Sequence, residues 1–329
     1  MKRIGIAGAT GLVGETLLRI LEASPHKVEE LRLFASSRSA GTKLSFRDRE
    51  LEVQEVAVEA FTGLDIAFFC LENELARKLV PQVSKLCPVI DKSSEFRLQE
   101  GVPLVVPEVN PEALKGHKNI IANPNCTTIP LVVALYPLHC RFGLEKLSVA
   151  TYQSVSGAGR PALEQLLYET EFLALHQKPD TKESPLKLQI ADNLIPKIGP
   201  FDSHGNSEEE LKLIHETRKI LGLPGLKINV TCVRVPVTVG HSLAVTCRFS
   251  QPVRPKDANG VLKDAAGVLL DVGERFATPL DCRGKDLVYV SRVRQGAEPE
   301  EISLWVLTDN LRKGAALNAL QIAELLFQH

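Results

Sequence analysis

The chain opens on a short apolar run, residues 3 to 7, that ends among glycines. Residues 12 to 22 then carry Val13, Leu17, Leu18 and Leu21 on one face at helical spacing, so a strand, a tight turn and a helix are expected. Further short apolar runs stand at 31 to 35, 65 to 70, 88 to 91 and 103 to 107, with a helical pattern at 73 to 85. Such alternation predicts an α/β unit, a doubly wound and largely parallel sheet of the Rossmann type. After Pro124 the pattern lengthens. Strand-like segments at 146 to 155, 227 to 237, 242 to 249, 286 to 293 and 301 to 308 interleave with helical stretches at 160 to 175, 207 to 221 and 255 to 271, which predicts an α+β unit on a mixed or antiparallel sheet. Residues 310 to 328 place Leu317, Leu320, Ile322, Leu325 and Leu326 at the spacing of a terminal helix.

Length supports this two-part reading. At 329 residues and 44% hydrophobic, the chain exceeds what one core usually holds. The expected division is residues 1 to 126, completed by the helix at 310 to 329, and a second domain at 127 to 309. Lys and Arg number 39 against 40 Asp and Glu, leaving a net charge of -1 and no basic tract for a nucleic acid backbone. The charge-free stretch 119 to 140 is broken by Asn119, Asn123, Asn125, Pro124, Pro130 and Pro137, so its apolar part is too short to span a bilayer. Seven scattered cysteines without a CxxC pair suggest reduced thiols in the cytoplasm and no metal centre. Glycines near the N-terminus argue against an export signal.

Chemistry concentrates at two places. Gly5, Gly8, Gly11 and Gly14 recur every third residue through the first strand, turn and helix, where backbone amides could approach a pyrophosphate. The second strand ends Phe34, Ala35, Ser36, Ser37, Arg38, Ser39. It lacks the acid that would hold a ribose 2′-hydroxyl, and its hydroxyls beside a guanidinium suit a 2′-phosphate, so NADP is favoured over NAD. The bland readings are strand–helix packing for the glycines and a solvated loop for Arg38.

The second place is the polar turn NPNCTT, residues 123 to 128, which leads into a helical pattern. A cysteine at a helix N-terminus has its thiolate favoured by the dipole, and nearby amides can hold an oxyanion on an attached acyl group. Cys126 is therefore the candidate nucleophile, and the other six cysteines are expected to be small buried apolar groups. A thiolate beside a nicotinamide implies a thioester that exchanges hydride with the cofactor.

Motifs along nearly the whole chain resemble the aspartate-semialdehyde dehydrogenase family. They are GIAGATGLVG (5 to 14), ASSRSAG (35 to 41), SSEFR (93 to 97), VVPEVN (105 to 110), NPNCTT, QSVSGAG (153 to 159), EELK (209 to 212), RVPV (234 to 237), GHS (240 to 242) and the terminal DNLRKGAALNALQIAELL (309 to 326). The resemblance implies NADPH-dependent reduction of aspartyl phosphate to aspartate semialdehyde and phosphate, in biosynthesis of lysine and diaminopimelate, threonine, methionine and isoleucine. It implies Cys126 as acyl-enzyme nucleophile, Gln153 orienting the substrate, and His241 as acid/base, on a strand edge where an exposed imidazole could face a cleft. It further implies Arg234 on the substrate carboxylate, Glu209 on its ammonium, Arg97 and Lys212 on phosphate, and Asn125 among the substrate contacts. For Glu209 and Lys212 the plain alternative is an exposed helix pair.

Gly8, Thr10, Gly11, Leu12, Val13, Ser36, Arg38, Ser39, Ser156, Gly157 and Asn310 would line the NADP site, and the resemblance implies a homodimer or dimer of dimers. Departures from the family pattern fall at residues 70 to 73, Lys92, Glu95 and Leu243. Glyceraldehyde-3-phosphate dehydrogenase and N-acetylglutamyl-phosphate reductase share the thioester logic but differ in these motifs. A non-catalytic NADP-binding protein would be expected to have lost Cys126, His241 or Arg234, and all three are present.

Overall fold

The computed structural model describes residues 2–25 and 27–328. The chain divides into two compact units: residues up to Asn125 together with the segment from Ala315 onward, and Cys126–Gly314.

The first unit is built on β1 (Lys2–Ala7), α1 (Leu12–Ala23), β2 (Val28–Ala35), β3 (Lys43–Phe46), β4 (Arg49–Glu55), β5 (Ile66–Phe69), α2 (Asn73–Val83), β6 (Val89–Asp91) and β7 (Ile120–Ala122). Its sheet runs β3-β4-β2-β1-β5-β6-β7, parallel except for the antiparallel β3–β4 pair at one edge. The strand order reverses beside β1, the place where open α/β sheets bind ligands beyond their carboxyl ends. One element was missed by the sequence and one expectation needs correction. The β3–β4 hairpin was not anticipated, because KLSF and RELEVQE mix charges among their apolar positions and show only a weak two-residue period. The apolar run 103 to 107 is no strand: it touches β7 through one bridge, Leu104 to Ala122. Its backbone is served instead by Asn110, whose Oδ1 accepts from Val106 N–H at 2.9 Å and whose Nδ2 donates to the Leu104 carbonyl at 2.9 Å. An apolar run reports burial, and burial alone does not specify pairing.

One core of this unit joins Ile4, Ile6, Leu17, Leu21, Leu33, Ile66, Phe68 and Ile90 to Leu320, Ile322 and Ala323 of the terminal helix, Leu317–Gln328. Burying each of the larger side chains contributes roughly 1.5–3 kcal/mol. A polar pin fixes the docking: Asn318 Nδ2 donates to the Val105 carbonyl at 3.0 Å and to Asn123 Oδ1 at 2.8 Å. The helix begins at Leu317 rather than 310, after a π turn at Arg312–Ala316.

The second unit contains α3 (Thr128–Phe142), β8 (Leu144–Gln153), α4 (Arg160–Ala174), α5 (Glu208–Leu221), β9 (Lys227–Arg234), β10 (His241–Phe249), α6 (Pro255–Lys263), β11 (Val268–Leu270), α7 (Pro279–Cys282), β12 (Val288–Gln295) and β13 (Glu301–Thr308). Its sheet runs β11-β12-β13-β10-β8-β9, antiparallel in the middle and parallel at both ends, hence mixed. The helix expected at 255 to 271 stops at Lys263; Gly267, at φ 75°, turns the chain and Val268–Leu270 pairs with β12. α3 packs against α5 and α6 and against strands β10, β12 and β13, and is buried almost throughout.

Candidate active site

Cys126 lies half-buried two residues before the first residue of α3. Gly314 closes over it, so that a side chain at Gly314 would come within 3.4 Å of its Cβ. Gln153, the last residue of β8, is buried. Its side-chain Oε1 accepts from Thr151 Oγ1 at 2.9 Å, and its Nε2 donates to Glu209 Oε1 at 3.0 Å. Glu209 is in the first turn of α5, where a carboxylate is favoured by the helix dipole. Lys212 Nζ lies 2.7 Å from Glu208 and 3.6 Å from Glu209, so the helix pair exists together with the bond from Glu209 to Gln153.

Arg234 ends β9 and is buried, with Nη1 donating to the Ser154 carbonyl at 2.8 Å. Burial lowers its pKa, opposed by the charges of Glu209 and Cys126. A guanidinium nonetheless stays protonated. His241 opens β10. The expected exposed imidazole is a correction: its relative exposure is 0%, because β10 is an interior strand flanked by β8 and β13. Its Nδ1 receives the Ser154 N–H at 3.1 Å. Burial first, then the Arg234 charge, hold its pKa well below the usual histidine range, against a smaller opposing effect of the Gly240 backbone. One peptide segment thus holds both groups, since Ser154 donates to His241 and accepts from Arg234. Nothing in the sequence marked Ser154; only the fold brings 154, 234 and 241 together.

Gly157 faces the same two side chains. A Cβ there would lie 3.0 Å from Arg234 Nη1 and 3.0 Å from His241 Nε2, so the absent side chain keeps open the space they share. Asn310, just beyond β13, is buried; its Oδ1 accepts from Gly240 N–H at 2.8 Å and its Nδ2 donates to Ser156 Oγ at 3.0 Å. Gln153, Ser156, Gly157, Glu209, Lys212, Arg234, His241 and Asn310 therefore form one polar cluster in the second unit, with Cys126 near enough to Arg234 to act on its charge.

The remaining candidates belong to the first unit. Gly8, at φ 82°, turns the chain after β1, and a side chain there would strike the Cys70 carbonyl at 2.5 Å. Gly11 caps α1 with no side-chain bond, so the amides of Leu12 and Val13, without intrahelical acceptors, are left for an anion beside Thr10. Ser36 and Ser39 form the next turn, Ser39 N–H to Ser36 carbonyl at 2.9 Å, with Arg38 exposed and in no ion pair among the described residues. These donors fit a dinucleotide: uncapped amides for pyrophosphate, hydroxyls and a cation for a further phosphate. Arg97 is buried, its Nη2 donating to the Lys92 carbonyl at 2.6 Å, and Asn125 is buried at the end of the unit.

Two family descriptions match: semialdehyde dehydrogenase, NAD binding domain, over residues 3–117, and semialdehyde dehydrogenase, dimerisation domain, over residues 135–313. An aspartate-semialdehyde dehydrogenase of Streptomyces akiyoshiensis is 46% identical, covering 98% of each chain, and that of Bacillus subtilis is 42% identical, covering 98% of this chain and 96% of its own. The chain belongs to the aspartate-semialdehyde dehydrogenase family. The solved structure of aspartate semialdehyde dehydrogenase II from Vibrio cholerae, complexed with ASA, superposes with TM-score 0.97 at 42% identity, covering 100% of this chain and 98% of that one. The Candida albicans enzyme with NADP gives TM-score 0.78 at 27% identity, covering 99% and 98%.

Within this family member the cysteines divide sharply. Burial pushes the thiols of Cys70 and Cys87 up to about 11, those of Cys232 and Cys282 up to about 12, and that of Cys247 higher still. They are poor thiolates. Cys140, expected to be buried, is exposed in the last turn of α3. The departures noted at 73 and 95 are mutually consistent. Asn73 Nδ2 donates to Ser94 Oγ at 2.7 Å, and Arg77 pairs with Glu95 at 2.7 Å, so α2 fastens the loop that leads to Arg97. Among the described residues, no His, Cys, Asp and Glu group suits a metal, and no helix is long and apolar enough to cross a membrane.

Proposed function

We propose that the chain reduces L-aspartyl 4-phosphate to L-aspartate 4-semialdehyde and phosphate through a thioester on Cys126. The observation that carries this reading is the buried cluster of Gln153, Glu209, Arg234 and His241 in the unit headed by Cys126, which offers a carboxylate clamp, an ammonium acceptor and an imidazole together. Bound NADPH supplies the hydride. NADP is favoured over NAD by Ser36, Arg38 and Ser39, and by the lack of an acid between Ala35 and Gly41.

The Cys126 thiolate attacks the acyl carbon while Gln153 orients the acyl group. Arg234 holds the α-carboxylate with a planar fork, and Glu209 takes the ammonium. Arg97, Lys212 and Asn125 serve the phosphate and substrate. His241 serves as the acid/base, exchanging protons as the thiohemiacetal collapses. The second unit matches a dimerisation domain, which supports a homodimer, alone or paired into a dimer of dimers. Seven cysteines free of disulfides accord with the cytoplasm, and the product with synthesis of lysine, diaminopimelate, threonine, methionine and isoleucine.

The test is phosphate-dependent reduction of NADP by L-aspartate semialdehyde, with NAD and glyceraldehyde 3-phosphate as controls. Turnover with the semialdehyde and NADP is expected; silence with every substrate despite NADP binding would refute the reading. A Cys126→Ala chain should bind NADP and lose turnover, and substantial residual activity would remove Cys126 as nucleophile.

A further inference from the structure

Four buried side chains meet where β8 and β9 end. The parallel register sets Thr151 beside Cys232 and Gln153 beside Arg234. Residues two apart on a strand share a face, so Thr151 and Gln153 look the same way. The first turn of α5 brings Glu209 within hydrogen-bond reach of Gln153. The carboxamide of Gln153 has ends of opposite character, an oxygen that accepts and a nitrogen that donates twice, so its orientation decides what it offers to the site.

Two neighbours fix that orientation. Gln153 Oε1 accepts from Thr151 Oγ1 at 2.9 Å, and Gln153 Nε2 donates to Glu209 Oε1 at 3.0 Å. The reversed amide would set oxygen against the Glu209 carboxylate, acceptor on acceptor. The Thr151 hydroxyl has one hydrogen, and Cys232 beside it does not compete for it: burial pushes that thiol up to about 12, and a neutral sulfur is a weak acceptor. The second N–H of Gln153 bonds nothing among the described residues, although the residue is only 1% exposed. A buried donor left open is a place for a ligand.

In the reaction proposed above, the substrate ammonium takes the Glu209 carboxylate, which then has less to give Gln153. We propose that Thr151 is a positioning residue: its hydroxyl holds the Gln153 carboxamide by the oxygen, so that an N–H stays turned to the substrate while Glu209 exchanges its bond to Gln153 for the substrate ammonium. The part played by the ammonium rests on the proposed function; the hold of Thr151 on Gln153 does not. Without the hydroxyl, Oε1 is a buried acceptor with no partner, and the carboxamide turns to find one. The N–H then no longer faces the substrate. Valine keeps the shape of Thr151 without the hydroxyl, and serine keeps the hydroxyl without the methyl, so the two replacements separate the bond from the packing.

The test uses the full-length chain. Thr151→Val should raise KM for the semialdehyde about tenfold, the order of one buried hydrogen bond, with a smaller change in kcat, because the N–H is met in the bound substrate as well as at the transition state. NADP binding should be unchanged, and Thr151→Ser should keep the wild-type KM. In a chain already carrying Gln153→Ala, Thr151→Val should cost nothing more, since its effect passes through Gln153. A merely structural role would lower the active fraction and so kcat, with KM unchanged; that result overturns the inference, as does a full further loss in the double variant. A readout free of turnover is hydrogen exchange at the side-chain amide of Gln153 in 15N-glutamine-labelled protein, assigned by its absence from Gln153→Ala. Protection should hold in the wild type and Thr151→Ser and fall in Thr151→Val; equal protection in all three overturns the inference. Protection lost only in Thr151→Val, in a chain whose wild type fails to oxidise the semialdehyde, sustains the hold on Gln153 and removes the functional reading instead.

Discussion

Gly157 shows how much a single residue decides in this cluster. Its missing Cβ would stand 3.0 Å from both Arg234 Nη1 and His241 Nε2, tighter than ordinary van der Waals contact. Gly157→Ala should displace one of them; a misplacement near 1 Å costs about 100-fold in rate, so kcat/KM is expected to fall by that order with thermal stability little changed. Wild-type kinetics would show that the space is not used. Asp91 makes a different prediction. It is fully buried at the end of β6, with Oδ2 accepting from Ser93 at 2.5 Å and Oδ1 unpartnered among the described residues. Burial pushes its pKa up to about 6, against the hydrogen bonds of Ser93 and the charges of Arg97 and Lys92. The folded chain therefore holds a proton that the unfolded chain releases nearer pH 4, so stability falls as pH rises between those values, by about 3 kcal/mol in all. Asp91→Asn should flatten that part of the stability curve between pH 4 and 6, measured by denaturant unfolding; an unchanged slope would exclude Asp91 as its source.

At the scale of elements, α5 carries Glu209 and Lys212 but is placed by Glu210. That carboxylate accepts from Ser207 N–H at 2.6 Å and from Cys232 N–H of β9 at 2.9 Å, so it caps the helix and occupies the open edge of the edge strand at once. A glutamine cannot accept from both with both terminal atoms, and a buried donor left unmade costs about 1–3 kcal/mol. Glu210→Gln is expected to raise KM for the semialdehyde several-fold with a smaller change in kcat; a chain altered only in melting temperature would confine Glu210 to stability. The EELK motif was legible as a helical face, and its partner strand was legible as a strand. Their junction was not, because a hydrogen bond across 22 positions leaves no local periodicity. The β3–β4 hairpin, of mixed polarity, and β11, three apolar residues too short to show a period, escaped notice for a related reason: such short segments become strands only when a longer neighbour offers its edge.

The whole molecule is two units that are not consecutive in sequence, since the first takes in the chain from Ala315. Ile322, wholly buried against the first unit's core, is the measure of that arrangement. Ile322→Ala should destabilise the protein by about 2–5 kcal/mol, seen as a lower thermal midpoint; an unaffected midpoint would mean the terminal helix adds little. Local sequence alone determined the strands and helices of regular length, the change of architecture after Pro124, the glycine turn and the helix led by Cys126, because each is encoded within a few residues of itself. Tertiary structure decided what spacing cannot carry. It buried His241 between β8 and β13, set Ser154 against both His241 and Arg234, and made an apolar run at 103 to 107 a packed loop, because burial and hydrogen-bond partners are supplied by segments distant in sequence.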